Sequence, residues 1–376
     1  MSERRIGMVA GETSGDLLAA SVLNHLGTTH TAGIGGPAMQ SAGFEAWWPS
    51  EMLAVRGYVE VLKAYPRLVL LRRQLLQLMS DWRPSVFVGV DAPDFNLELE
   101  RRLRVAGHRT VHFIGPSIWA WRPERIERIR AAADHVLLLF PFEKPIYDRA
   151  GIAATYVGHP MADEIDLQVN PMAARDLLGL DRTRPVVAVL PGSRGSEIEY
   201  IAPIFIDTVR LMARSHPEIQ FVIPAATPRL HARLQQMLAR RLDSSVTALL
   251  LEGHARDAIA ASDGVLVASG TATLEVALLR KPMVIAYRMA ALSYRIMRRM
   301  QLLPWIGLPN ILCNASVVPE FIQDAATPQA LARAMLEQLQ PERQSELASR
   351  FEALHHELRC DCGHQAAQAL LKIAAR

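Results

Sequence analysis

The sequence predicts an α/β protein of two doubly wound parallel sheets, and three observations carry that expectation. Nine short apolar runs, at 6–10, 86–90, 110–114, 136–140, 186–190, 220–224, 247–251, 264–268 and 283–287, alternate with longer helix-like segments. A continuous apolar run marks a strand buried on both faces, and helical crossovers between such strands mean parallel sheets. At 376 residues the chain exceeds what one hydrophobic core usually serves, so two domains of about 150 to 190 residues are the natural division. Half of the residues are hydrophobic but only 6% are aromatic, which suits helices packed on parallel strands better than a sandwich.

Residues 1–168 are expected to form the first domain, 169–345 the second, and 346–376 a helical segment that packs back on the first domain or on a partner subunit. The break is placed within 158–185, where Asp163, Glu164 and Asp166 precede Asn170-Pro171, an N-cap followed by proline in the first helical turn. After Pro328 the pattern is helical to the end. In doubly wound sheets ligands sit beyond the carboxyl ends of the strands, so the residues that follow each run are where chemistry is sought.

The first run delivers Gly11-Glu12-Thr13-Ser14-Gly15-Asp16, and Gly33-Ile34-Gly35-Gly36-Pro37 follows. Glycine-rich turns permit close backbone approach to a ligand, a nucleotide included. The run 86–90 ends in Asp91-Ala92-Pro93-Asp94-Phe95-Asn96, which sets two carboxylates at the exit of a buried strand. Asp91, nearer the strand, is the candidate general base for a sugar hydroxyl, and Asp94 is assigned to capping the helix that begins near Phe95. The indoles of Trp119 and Trp121 either stack on a sugar or fill a loop core.

Between Trp47 and Trp82, apolar residues mix with Arg56, Lys63, Arg67, Arg72 and Arg73. Such a mixture describes either a helix lying in a lipid interface or a core helix with a solvated face. The 68–71 stretch is apolar all round, which favours the interface. Val59, Leu62, Leu68, Val69, Arg72 and Arg73 are the expected membrane-facing residues. Arg72 and Arg73 also interrupt the most lipid-like stretch, so it falls short of a spanning helix.

In the second half, 186–190 runs into Pro191-Gly192-Ser193-Arg194-Gly195-Ser196-Glu197, a loop that puts one guanidinium just outside a strand. Arginine clamps a pyrophosphate through paired hydrogen bonds, though a tight turn with a solvated arginine explains this loop alone equally well. A second loop, Ser269-Gly270-Thr271-Ala272-Thr273-Leu274-Glu275, opens a helix with small residues that leave its N–H groups accessible to phosphate. Glu275, one turn beyond Thr271, is placed to accept hydrogen bonds from ribose hydroxyls. An N-capped helix with a surface glutamate accounts for Thr271 but not for the lack of bulk along the whole turn. The backbone near Glu252-Gly253-His254 is a weaker candidate for contacting the base. Neither G-x-G-x-x-G nor G-x-x-x-x-G-K-[ST] occurs, and there is no D-x-D pair, so no metal and no cofactor are expected. Arg194 and the helix start at Gly270 can stabilise a leaving nucleoside diphosphate without a cation.

Forty-one basic residues against 38 acidic ones leave a formal charge of +3, which gives no global field for nucleic acid. Cys313, Cys360 and Cys362 form no even framework and are expected as free thiols. The N-terminus lacks a signal-peptide pattern, so a cytoplasmic protein in peripheral contact with a membrane is expected.

Taken in order, GETSGD (11–16), GVDAPDFN (89–96), PSIWAWR (116–122), LPGSRGSEIE (190–199), SGTATLE (269–275) and GLPNIL (307–312) resemble the lipid-A-disaccharide synthase family across nearly the whole chain. The resemblance implies a GT-B fold, two Rossmann-like domains facing a central cleft. It implies an inverting transfer of 2,3-diacylglucosamine from UDP-2,3-diacylglucosamine to 2,3-diacylglucosamine 1-phosphate, with UDP released, at the cytosolic face of the inner membrane. It gives Glu12, Asp91 and Asn310 catalytic weight, and Arg194 functional weight. With UDP as the nucleotide, the two loops already read as a diphosphate site, Gly192, Ser193 and Arg194 with Ser269, Gly270, Thr271, Ala272, Thr273 and Glu275, are its expected place, and the resemblance implies a homodimer built through the C-terminal region. Two positions depart from the family's pattern: Ser85 stands where an aspartate is frequent, and Gly115 where a serine is. Two other functions fit the same architecture, a UDP-N-acetylglucosamine 2-epimerase and a non-catalytic nucleotide-sugar-binding protein on the membrane surface.

Overall fold

The computed structural model describes residues 4–53, 58–243 and 246–375, with the side chains of 58–64 outside that description. It divides into two compact units, one of residues 1–164 with 357–376 and one of residues 165–356. The first holds a seven-stranded sheet of β1 (Arg5–Ala10), β2 (His30–Gly35), β3 (Glu45–Pro49), β4 (Val86–Val90), β5 (Thr110–Phe113), β6 (His135–Leu138) and β7 (Ala154–Tyr156). The second holds a six-stranded sheet of β8 (Val186–Leu190), β9 (Gln220–Ala225), β10 (Ala248–Glu252), β11 (Gly264–Ala268), β12 (Met283–Tyr287) and β13 (Glu320–Ile322).

All neighbouring strands run parallel, in the orders β3-β2-β1-β4-β5-β6-β7 and β10-β9-β8-β11-β12-β13. Each sheet thus grows outward from a central pair and then resumes on its other side, β1 beside β4 and β8 beside β11. At such a switch point the loops leaving the two central strands diverge to opposite faces and open a crevice. The nine apolar runs are all strands, and the central ones are buried on both faces.

The strands that periodicity does not reveal have local reasons. In β2, Gly33 lies at φ +144° and a Cβ there would sit 2.2 Å from the Met8 carbonyl, so this strand is built from residues that usually argue against one. The other three, β3, β7 and β13, lie at sheet edges and span five, three and three residues.

Helices cover both faces. The long helix Tyr58–Trp82 seats Leu71, Leu75 and Met79 against Val9, Ile34 and Phe87 of the first sheet. The last helix, Cys362–Ala374, packs Cys362, Ala366 and Leu370 on Leu18 and Val22 of the first helix, Thr13–Leu23. In the second unit Asn170 caps the helix Pro171–Leu178 by accepting from the Met172 and Ala173 amides at 3.0 and 3.2 Å. Among the described residues no helix is long and apolar enough to cross a membrane.

Candidate active site

In the first unit the loops leaving β1 and β4 meet at the switch point, where Gly11 approaches Ala92 so closely that a Cβ would stand 3.3 Å from the alanine methyl. Glu12 is exposed at the start of the Thr13–Leu23 helix. Asp91 is half-buried on the other loop, and it and Ala92 both adopt left-handed backbone, φ 53° and 44°. Two successive non-glycine residues in that region cost roughly 1–2 kcal/mol each, so the turn must be held from outside. The Asp91 amide donates to the Phe113 carbonyl at 2.9 Å, extending the ladder between β4 and β5. From beneath, the buried Asn96 amide donates to the carbonyls of Asp91 at 2.8 Å and of Val9 and Val90 at 3.3 Å.

Below Asn96 lies a titratable pair with no solvent exposure, Glu100 Oε1 against His112 Nδ1 at 2.7 Å. Burial pushes the Glu100 carboxyl above the usual carboxylate range, with His112 pulling it partway back. Gly89 makes room for this pair, because a Cβ there would fall 2.1 Å from Glu100 Oε1. Asn96 Oδ1, Glu100 Oε2 and His112 Nε2 have no hydrogen-bond partner among the described residues. A buried polar cluster of this kind subtracts from stability, and what it adjoins is the strained Asp91 turn. The sequence reading overlooked it, although Asn96 and Glu100, four apart on a stripe with Leu99 and Leu103, are polar where the helix pattern calls for apolar residues.

Two assignments change. Asp94 does not cap its helix: the element Pro93–Val105 begins earlier, after Ala92, and Asp94 falls in its first turn, 82% exposed and 3.8 Å from Arg125. Asp16, expected on a ligand-approach loop, is instead buried and accepts from the amides of Gly36, Ala38 and Met39 at 2.8, 3.0 and 3.1 Å, which caps the short helix Pro37–Ser41. The open question over Trp119 closes on the loop core, since its indole donates to Glu143 at 3.0 Å and meets Phe142 edge-on at 5.1 Å. Burial pushes Glu143 up to about 7 despite bonds from Trp119 and the Phe140 amide.

The departures from the family pattern also find places. Ser85 sits at the amino end of β4, a full strand away from Asp91, with its amide on the Arg5 carbonyl at 2.8 Å. At Gly115 a Cβ would lie 2.6 Å from the Tyr147 hydroxyl, so the fully buried Tyr147 takes up the space a side chain there would need.

In the second unit the loops after β8 and β11 meet at the corresponding switch point. Glu197 shapes the first by accepting from the Ser193 and Arg194 amides at 2.9 and 3.2 Å and from Arg194 Nη1 at 2.9 Å. Gly192 is required there: its φ is +115° and a Cβ would come 2.5 Å from the Glu197 carboxylate. The Arg194 side chain remains 78% exposed. On the second loop Thr271 precedes the helix Ala272–Leu278 without a side-chain cap, and the Gly270, Thr271 and Ala272 amides have no protein acceptor among the described residues. The buried Thr273 hydroxyl donates to the Gly270 carbonyl at 2.7 Å, and Ser269 ties the loop to the Ile306 carbonyl at 3.3 Å. Glu275 is held by Arg256 at 2.9 Å, a partner from the helix Ala255–Ala261 that local patterning does not reveal. His254 turns left-handed at φ 56° after Gly253 and pairs with Asp257 at 2.9 Å.

Asn310 is fully buried, and its amide is occupied by the Val317 and Val318 amides, the Val318 carbonyl and Glu320 at 2.7–2.9 Å. Glu320 also accepts from the Ile306 and Gly307 amides at 2.9 and 3.0 Å, so the pair shapes the loop that Ser269 joins.

Of the membrane-facing candidates, Val59 and Leu62 lie outside the described side chains. Leu68 and Val69 are half-buried, Arg72 stacks over Phe95 at 5.8 Å, and Arg73 is exposed beside Leu70, itself 56% exposed.

A family model for lipid-A-disaccharide synthetase matches residues 6–370. The chain is 50% identical to the lipid-A-disaccharide synthase of Chromobacterium violaceum over 376 residues, which cover 98% of this chain and 97% of that one. Over 372 residues it is 52% identical to the enzyme of the same name from Aromatoleum aromaticum, with 98% and 95% covered. Among solved structures it is similar to MurG of Acinetobacter baumannii, with TM-score 0.62, 14% identity and 98% and 99% of the chains covered. A UDP-GlcNAc 2-epimerase of Neisseria meningitidis, solved with UDP-GlcNAc, aligns with TM-score 0.61 at 13% identity, covering 98% and 100%. Likeness at that identity speaks for the fold alone, and the fold is GT-B.

Proposed function

The chain belongs to the lipid-A-disaccharide synthase family, and from that footing we propose an inverting, metal-independent transfer of 2,3-diacylglucosamine from its UDP conjugate to the 6-hydroxyl of 2,3-diacylglucosamine 1-phosphate. Asp91 takes the proton of the acceptor hydroxyl as that oxygen forms its bond to the anomeric carbon. The bond from the anomeric carbon to the UDP oxygen breaks in the same displacement, so configuration inverts. Arg194 and the amides of Gly270, Thr271 and Ala272 receive the charge that gathers on the departing diphosphate. Gly192 and Ser193 line the diphosphate, Ser269 and Thr273 hold the second loop in shape, and Glu275, steadied by Arg256, accepts from the ribose hydroxyls. Glu12, on the loop beside Asp91, contacts the acceptor. Asn310, wholly engaged in its own loop, acts as a positioning residue.

One observation carries this assignment. In each unit the singled-out charged residues follow the central strand pair, Glu12 and Asp91 on loops in one, and Arg194 on a loop and Glu275 in the first turn of the succeeding helix in the other. The acylated substrates imply work at the cytosolic face of the inner membrane, with the exposed side of the Tyr58–Trp82 helix toward lipid, and a homodimer as the assembled form.

The test is to mix UDP-2,3-diacylglucosamine with 2,3-diacylglucosamine 1-phosphate in detergent, with EDTA present, and to follow products by mass spectrometry. A β-1,6 disaccharide 1-phosphate and UDP are expected. UDP-N-acetylglucosamine alone should yield no manno epimer; an epimer, or bound UDP without disaccharide, overturns the proposal.

A further inference from the structure

The helix Ala291–Met300 has no buried residue, although it lies within the second unit's chain and directly follows strand β12 of its sheet. Three of the large apolar side chains that stay exposed in the protein lie on or just after it, Leu292 at 71%, Ile296 at 54% and Leu302 at 51%. At 3.6 residues per turn Leu292, Ile296 and Met300 share one stripe, and Arg295 and Arg299 flank it. From 288 to 305 the sequence contains four arginines and no acid.

The charged groups around the helix are unevenly placed. One side of it borders a cavity of about 770 Å³ lined by Glu199, Arg288, Tyr294, Arg295, Arg298 and Asp324, so the acids that face this element lie on that side, and Arg295 stands at the boundary between it and the apolar stripe. Arg288 spends its charge there, 3.8 Å from Asp324. Arg295, Arg298 and Arg299 have no carboxylate partner among the described residues. The stripe therefore joins the exposed Leu292 and Ile296 to Arg299, clear of the cavity, and to Arg295 at its rim, and their long stems let them lie along an apolar surface while the charge stays wet.

We propose that the outer face of the Ala291–Met300 helix docks onto an anionic lipid bilayer, with Leu292 and Ile296 entering the headgroup boundary and Arg295 and Arg299 pairing with lipid phosphates. A protein partner is the poorer fit, because the core of a protein interface is depleted of charge and its cations meet carboxylates one to one. A bilayer offers the apolar layer and the dense negative plane side by side. The site lies at the carboxyl edge of the second sheet, next to the Arg194 loop, whose Arg194 and Glu197 both act electrostatically on Tyr287 at the end of β12. Docking there would hold the nucleotide loops against the membrane. The inference goes beyond the proposed reaction and does not need it.

Flotation of the full-length protein with vesicles tests it, using phosphatidylcholine alone and phosphatidylcholine with about one third phosphatidylglycerol. The wild type should float with the anionic vesicles, fail to float with the neutral ones, and be released by high salt as the charges are screened. Leu292→Ser with Ile296→Ser, and separately Arg295→Glu with Arg299→Glu, should each weaken partition at least ~10-fold. UDP binding by calorimetry and turnover of detergent-dispersed substrates should stay at wild-type levels in both. Either pair floating like the wild type overturns the inference and assigns lipid contact elsewhere, the Leu68–Arg73 stretch first. So does a wild type that floats with neither vesicle, or one captured by a protein through this helix instead. Should the disaccharide assay fail while the two variant pairs still lose flotation, the reaction falls and the docking face stands.

Discussion

At the switch point of the first sheet the Asp91 turn rests on Asn96, Glu100 and His112, all without solvent exposure, whereas at the second sheet the Arg194 side chain is 78% exposed and Arg256 46%. The two places share a topology and differ in construction. A general base must meet one hydroxyl proton at one angle, and a displacement of about 0.5 Å already matters for such a group. Burial provides that rigidity at a cost in stability. A diphosphate clamp has a looser task, since its ligand brings the charge that orders it. The Arg194 loop accordingly depends on local bonds to Glu197, which also pairs with the guanidinium, and on the proposed reading that largely exposed cation is where a phosphate is met.

The sharpest way to break the comparison is Asp91→Asn. Turnover should fall roughly 10²-fold or more, with the KM for donor unchanged, because base catalysis is typically worth that much. Steady-state kinetics in both substrates reads it; turnover within a few-fold of wild type removes Asp91 from the chemistry.

A second contrast concerns pH. In the first unit Glu143 is pushed up to about 7 by burial, and in the second Lys281 is pushed down to about 8 by burial, its Nζ donating to the Ser262 carbonyl at 2.7 Å. For Glu143 the folded state holds the proton more tightly than the unfolded one, so stability falls as pH rises from the ordinary carboxylate range through about 7. For Lys281 the folded state holds it less tightly, so stability rises with pH from about 8 toward the ordinary lysine value. Each slope integrates to on the order of 3 kcal/mol. Urea midpoints across this range should lose the falling limb in Glu143→Gln and the rising limb in Lys281→Met; parallel curves for either variant and the wild type refute that assignment.

Much of this was legible beforehand, for uneven reasons. Central strands announce themselves because both faces are buried, and the segments after them follow from topology, so the places of Asp91, Arg194 and Glu275 in the fold could be read from the chain, whereas Glu12 stands out only through the family resemblance. The β2 strand escaped because its glycines serve close packing against Met8, Met39 and Phe44 rather than a turn. The supporting residues escaped because their partners are remote: Glu100 meets His112 from another element, and Arg256 reaches Glu275 from a different helix. Asp94 misled because an αL pair, not a side chain, starts its helix. Burial of a polar side chain is a tertiary fact, and periodicity shows it only as an exception on an apolar stripe.

Glycine substitutions sharpen the same contrast. Gly89→Ala pushes a methyl into Glu100 and should cost roughly 1–3 kcal/mol, as overpacked cores do, together with turnover as the Asp91 turn shifts. Gly270→Ala meets nothing within 4 Å and should leave the melting temperature unchanged while weakening UDP, since the methyl stands where phosphate approaches. Thermal melts and UDP calorimetry on the two proteins separate the cases; equal destabilisation would mean that the two loops are built alike.

The smallest expected effect belongs to Arg194→Ala. An exposed cation already paired with Glu197 contributes less than a buried one, so kcat/KM should drop only about 10-fold, close to the worth of one charge-assisted hydrogen bond. Glu197 still accepts from the Ser193 amide and from the amide of residue 194 in this variant, so the loop keeps its shape and the melting temperature should not move. Glu197→Ala removes those anchors and should lower both stability and UDP affinity. If Arg194→Ala instead destabilises the protein as much as Glu197→Ala does, the guanidinium is part of the loop's framework, and the contrast between a buried first site and an open second one fails at its second term.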